Sequence, residues 1–190
     1  MHGERRFSQA IAEGDGISLV AEADDPGDVG RASSGGARAF AARQALGEQS
    51  PLPVLWRGAG GPQEARSAGA DAWVLVAAAA GDDDERLEEL YAEVLELGLD
   101  CVVEVADDEE LERVLDRLDP EVFLLSSRRA GGGDGLDRVL GLLHDVPAGK
   151  LAVADLDNVD RSTLAELERA GVDAVIVRAD ALADLPRLAG

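Results

Sequence analysis

The hydrophobic positions of this chain fall into eight short blocks separated by polar or helix-like stretches. The blocks are ISLVAEA (17–23), ARAFAA (37–42), LPVLWRG (52–58), AWVLVAA (72–78), CVVEVA (101–106), VFLLSS (122–127), LAVADL (151–156) and AVIVRA (174–179). Continuous apolar runs of this length predict strands buried on both faces, as in a parallel sheet. Between them the period changes. DDDERLEELYAEVLELG opens on acids and closes on Gly98, which predicts a helix. In DDEELERVLDRLD, Leu111, Val114, Leu115 and Leu118 recur at helical spacing. DRSTLAELERAG puts Leu164 and Leu167 on one face and stops at Gly171.

The phrase SAGADAWVLV near Ser67 is echoed by RAGVDAVIV near Arg169. Both read as helix end, glycine turn, then strand, a repeat of β/α units. Eight such units predict a (β/α)8 TIM barrel in a single domain over residues 1–190, with an open doubly wound sheet as the alternative. The barrel must be compact, because about 250 residues is typical for this architecture. Strand two leads to strand three through only RQALGEQSP, too little for a full helix, and no N-terminal extension is expected. GGGDG at 131–135 reads as a flexible loop, since it matches neither a P-loop nor a dinucleotide fingerprint.

Composition narrows the chemistry. The formal net charge is −21, which argues against a nucleic-acid partner because phosphates would be repelled. Composition bias or salt adaptation accounts for that charge without a specific acidic function. Aromatic content is 3%, so the core is expected to be mostly Ala, Val and Leu, with Trp56 in the core or at its rim. No apolar run approaches the ~20 residues of a membrane helix, and the N-terminus lacks a secretory apolar region. Cys101 is the only cysteine and is expected to be inert packing; His2 and His144 lack ligand spacing. These features predict a soluble cytoplasmic protein without a cofactor or structural metal. One position resists this picture: Glu104 interrupts an apolar strand, and a carboxylate there must be paired, hydrated or useful.

The segments LVAEADDP, LPVLWRG, ARSAGADAWVLVAAA, LGLDCVVEVADDEELERVL and AELERAGVDAVIV resemble indole-3-glycerol phosphate synthase of tryptophan biosynthesis, in order from about residue 7 to 182. The resemblance implies a barrel whose active site lies at the C-terminal strand ends, and a carboxy-lyase reaction that closes an indole ring on a carboxyphenylamino-deoxyribulose phosphate. It implies Glu104 and Glu22 as catalytic glutamates. It places Arg57 where the family has its general-acid lysine, and an aspartate, Asp24, where another lysine is expected. Asp155 stands for a strand-seven glutamate. Ser126 and Arg128 stand for an asparagine–arginine pair that binds substrate. Asp157 and Arg178 replace two glycines of the phosphate site, and the serine-rich phosphate segment after strand one is missing, with Asp25-Pro26 already opening the next helix. Lys150, the only lysine, precedes strand seven and is expected at the opposite end of the barrel.

Three readings stay open: a degenerate barrel that is weak or inactive in ring closure, an active divergent enzyme on a small anionic phosphate ligand, and a non-catalytic interaction module. Glu104 and Glu22 fit an alternative too, as members of an ion cluster with Arg57, Arg128 or Arg178. If the short link after strand two exposes an apolar flank, the chain is expected to form a homo-oligomer.

Overall fold

Eight parallel strands follow the eight apolar blocks in order: β1 (Ser18–Glu22), β2 (Ala39–Ala42), β3 (Val54–Trp56), β4 (Ala72–Val76), β5 (Asp100–Val105), β6 (Val122–Ser126), β7 (Leu151–Asp155) and β8 (Ala174–Arg178). The computed structural model describes residues 7–46, 50–129 and 134–185. Each strand pairs with the next, and β8 returns to β1 with Ser18 opposite Ala174 and Glu22 opposite Arg178. The sheet is therefore a closed (β/α)8 barrel; the open doubly wound alternative is ruled out.

The helices are α1 (Phe7–Ala12), α2 (Pro26–Ser34), α3 (Pro62–Ser67), α4 (Asp84–Glu96), α5 (Asp108–Arg117), α6 (Gly135–Leu143) and α7 (Arg161–Ala170). Side-chain caps start several of them. Asp25 accepts from Gly27 N and Asp28 N, Asp107 from Glu110 N, and Asp160 from Thr163 N. Asp25 thus opens α2 shortly after β1 ends at Glu22. Of GGGDG, residues 131–133 lie outside the described residues; Asp134 caps α6 by accepting from Leu136 N.

Alternation along the strands sorts side chains into two cores. Val20, Leu55, Val102, Val122, Leu124, Val153 and Ile176 point inward and fill the barrel. Ala39, Ala41, Ala72 and Ala174 occupy the rest, which suits the narrow interior. Phe7 and Ile11 of α1 join this inner cluster at 0% and 1% exposure and close the N-terminal end. The outward set, including Phe40, Leu75, Val103, Phe123 and Val175, packs under the helices.

The echoed AGADA and AGVDA segments do the same work twice. Asp71 accepts from Val54 N at 2.9 Å and Asp173 from Ala152 N at 2.8 Å. Their own amides donate to Val54 O and Ala152 O. Each aspartate therefore clips the start of its strand to the start of the preceding one.

No helix is described between β2 and β3. The outward side chains there, Phe40, Ala42, Val54 and Trp56, are nevertheless buried, and Leu46 and Leu52 of the connection pack against the same core. Among the described residues, the outward side of β2 and β3 shows no exposed large apolar side chain. No described helix is long and apolar enough to cross a membrane.

Candidate functional site

The strand period that fills the barrel also builds its mouth. Two residues after an inward Val20, Leu55, Val102, Leu124 and Val153 come Glu22, Arg57, Glu104, Ser126 and Asp155. Each lies at or near the C-terminal end of its strand, so one polar layer caps the apolar interior. Asp155 is 0% exposed and Glu104 6%. Burial of carboxylates at this depth requires compensating charge.

Arginines supply it. Arg57 reaches across the barrel to Asp155, Nη2 to Oδ2, at 2.7 Å, and has Glu22 and Glu104 at 3.8 Å each. Arg128 pairs with Glu22 at 2.8 Å. Its Nε donates to Leu156 O at 2.9 Å while standing 3.0 Å from Asp155 Oδ1, so the latter contact is an ion pair without a hydrogen bond. Ser126 Oγ completes the Asp155 shell at 3.4 Å. Burial works against the Arg57 charge, but Asp155, Glu104 and Glu22 outweigh it and hold its pKa above the ordinary value.

A second arginine follows. Arg129 donates from Nε to Glu104 Oε1 at 3.0 Å and grips Glu110 with both terminal nitrogens. Its hydrogen bond to Glu110, ahead of that to Glu104, raises its pKa. Glu110 in turn accepts from Ala106 N, which fixes the turn between β5 and α5. The sequence reading singled out Arg128 and missed Arg129; the doubled arginine in SSRRAG was the available signal.

Arg178 does not join the cluster, nor does it pair with Glu104. Its side chain is 68% exposed, and it bonds to Asp180 through Nε at 3.1 Å and Nη2 at 2.9 Å. The partner two residues downstream draws it out of the inward register. Lys150 pairs with Asp119 immediately before β7, at the barrel end opposite the mouth. Trp56 faces outward in the outer core, 8% exposed.

Several cavities border the charged layer, two of them on the β1 and β3 sides. One of about 480 Å³ lies over β1 and β8 and is lined by Asp24, Asp157 and Asp180 together with Arg43, Arg128 and Arg178. The other, about 350 Å³, opens between β3 and β4. β3 ends at Trp56, opposite Trp73, while β4 continues to Val76, so the wall beyond that pair has no second strand. Gly58–Ala59–Gly60 lines the gap. A Cβ on Gly58 would stand 2.4 Å from Arg43 O and 2.8 Å from the Trp56 ring, so only glycine fits there. Among the described residues, no group of three or more His, Cys, Asp or Glu side chains is placed to hold a metal ion.

Comparison with known proteins accords with this geometry. The family model for indole-3-glycerol phosphate synthase matches residues 62–184. The chain belongs to the indole-3-glycerol phosphate synthase family. An indole-3-glycerol phosphate synthase from Salinibacter ruber (strain DSM 13855 / M31) is 37% identical over 115 residues. That match takes in 60% of this chain and 42% of the relative, so the chain spans well under half of that synthase. Among solved structures, the N-acetylmannosamine-6-phosphate 2-epimerase of Clostridium perfringens superposes with a TM-score of 0.73 at 12% identity, covering 94% of this chain and 91% of the epimerase. A 3-hexulose-6-phosphate synthase gives 0.63 at 14% identity, covering 90% and 97%. At such identities these two share the fold with this family member and nothing more.

Proposed function

We propose that this chain is an indole-3-glycerol phosphate synthase homologue that retains the barrel and has lost the ring-closing decarboxylation. The observation that carries the reading is the Arg57–Asp155 clasp at 2.7 Å. Ring closure needs a general acid that gives up a proton and takes it back. Arg57 stands where the resemblance expects that acid, and a guanidinium flanked by three carboxylates holds its proton too tightly to serve. Lys150 is engaged at the other end of the barrel.

The phosphate end supports the same reading. Asp157 and Arg178 stand where the resemblance implies glycines, and Asp24 and Asp180 line the same cavity. A phosphate entering it would face these acids, and Arg43, Arg128 and Arg178 are already drawn to carboxylates. Glu22 and Glu104 are then members of an ion cluster rather than working acids. Under this reading the barrel binds or docks rather than turns over substrate. The lone cysteine, buried in β5, suits a cytoplasmic location.

The test is a fluorescence assay of the purified chain with the carboxyphenylamino-deoxyribulose phosphate, run beside the Salinibacter enzyme. No indole product above the buffer rate is expected. Turnover within about tenfold of the control enzyme, about 1.4 kcal/mol in barrier, overturns the proposal.

A further inference from the structure

The charges around the 480 Å³ cavity over β1 and β8 do not all pair with one another. Three of its arginines are taken: Arg31 by Asp28 at 2.7 Å, Arg128 by Glu22 at 2.8 Å and Arg178 by Asp180 at 2.9 Å. The fourth, Arg43, stands 3.8 Å from Asp24 and 4.0 Å from Glu22 and donates no hydrogen bond among the described residues. The carboxylates of Asp24 and Asp157 accept none there either; Asp157 is 4.0 Å from Arg128. One guanidinium and two carboxylates are thus left open to a single cavity. Its volume lies in the range of ligand pockets, roughly 300–1,000 Å³.

The barrel sets where these groups stand. Asp24 follows β1 and Arg43 follows the neighbouring β2, and Gln44 Nε2 donates to Asp24 O, which ties the two loops together. Asp157 follows β7, with β8 between it and β1. Neighbouring strands lie about 4.8 Å apart, so the strand ends that carry the two open carboxylates are roughly 10 Å apart. A phosphate or other simple anion would satisfy Arg43 and meet two acids. A simple cation would satisfy an acid and meet Arg43 beside Asp24. A molecule with a carboxylate and an ammonium at one end and a second cation at the other matches all three groups. Its single net positive charge also suits a chain of net charge −21.

We propose that this cavity binds a free basic α-amino acid, with its carboxylate on Arg43, its ammonium on Asp24 and its side-chain cation on Asp157. The proposal rests on the reading that this end no longer serves a phosphate ester; the fluorescence assay tests that reading by turnover, whereas the present test reads only binding. L-Arginine and L-lysine are titrated into the full chain and followed by amide NMR. Agmatine, which lacks the carboxylate, Nα-acetyl-arginine, which lacks the ammonium, citrulline, which lacks the side-chain charge, and inorganic phosphate serve as matched probes. Saturable shifts are expected at Asp24, Arg43 and Asp157. Each matched probe is expected to bind at least about fivefold more weakly than L-arginine, the upper end for one partly exposed charged contact. Agmatine separates a built site from the general field of an acidic surface, because its greater positive charge would make it the tighter ligand of that field. Arg43→Gln is expected to bring L-arginine to the level of agmatine, and Asp157→Asn to the level of citrulline. Their side chains are 57% and 79% exposed, so the fold should tolerate both changes. Agmatine, citrulline or Nα-acetyl-arginine binding as tightly as L-arginine overturns the proposal. So do saturable phosphate shifts at the same amides, unchanged L-arginine binding in either variant, or no saturable shift with either basic amino acid.

Discussion

Arg57, just beyond β3, holds Asp155 at the end of β7 by a 2.7 Å ion pair that crosses the barrel mouth. The two residues are 98 positions apart in sequence. Asp155 is fully buried and also lies against Arg128 and Ser126. Removing its charge leaves two guanidinium groups short of a partner. Asp155→Asn is expected to lower stability by about 3–5 kcal/mol, the usual cost of breaking a buried pair. Urea unfolding measures it, and a loss under about 1 kcal/mol would mean that solvent compensates the arginines.

Arg57→Lys separates the two defects of the mouth. It restores an ammonium group at the expected position but leaves Asp157 and Arg178 in place. No indole product is expected from this variant in the fluorescence assay. Measurable turnover from the single change would show that the altered phosphate end is no obstacle.

The paired aspartate clips offer a cleaner measurement. Asp71→Ala and Asp173→Ala each strip the acceptor from a strand-end amide. Each is expected to cost about 1–2 kcal/mol, and the double variant should show the sum because the two clips bond different strand amides. A strongly non-additive double variant would argue that the two halves of the barrel unfold as coupled units.

Alkaline pH is expected to weaken the fold. Burial, then Asp100, pushes the Cys101 thiol up from 9.0. Burial, followed by Cys101, Asp119 and Glu121, pushes Tyr91 up from 10.0 to about 12. Both groups stay protonated in the folded chain where the unfolded chain already ionises. Their contribution is complete below the unfolded values and fades as pH rises through 9.0 and then 10.0. Urea midpoints measured on either side of pH 9.0 check this, and Cys101→Val should remove the earlier part of the decline. A flat profile across that range would refute the assignment.

The strands were legible because parallel strands buried on both faces leave unbroken apolar runs. At the mouth only Glu104 was legible for the same reason, standing out against valines; Glu22, Arg57, Ser126 and Asp155 came from the family resemblance. The outward turn of Arg178 was not legible: the resemblance set it at the phosphate end, and Asp180 two residues on draws it into solvent. Arg129 was missed because adjacent arginines carry no period; only the loop geometry turns one toward Glu22 and the other toward Glu104. The slot between β3 and β4 has no sequence signature. It arises from one strand stopping earlier than its neighbour.

Phe7 and Ile11 of α1 cork the cylinder from below. Traffic of water and small molecules to the inner acids must therefore use the upper rim, and an occupant wedged there would silence exchange with everything beneath it.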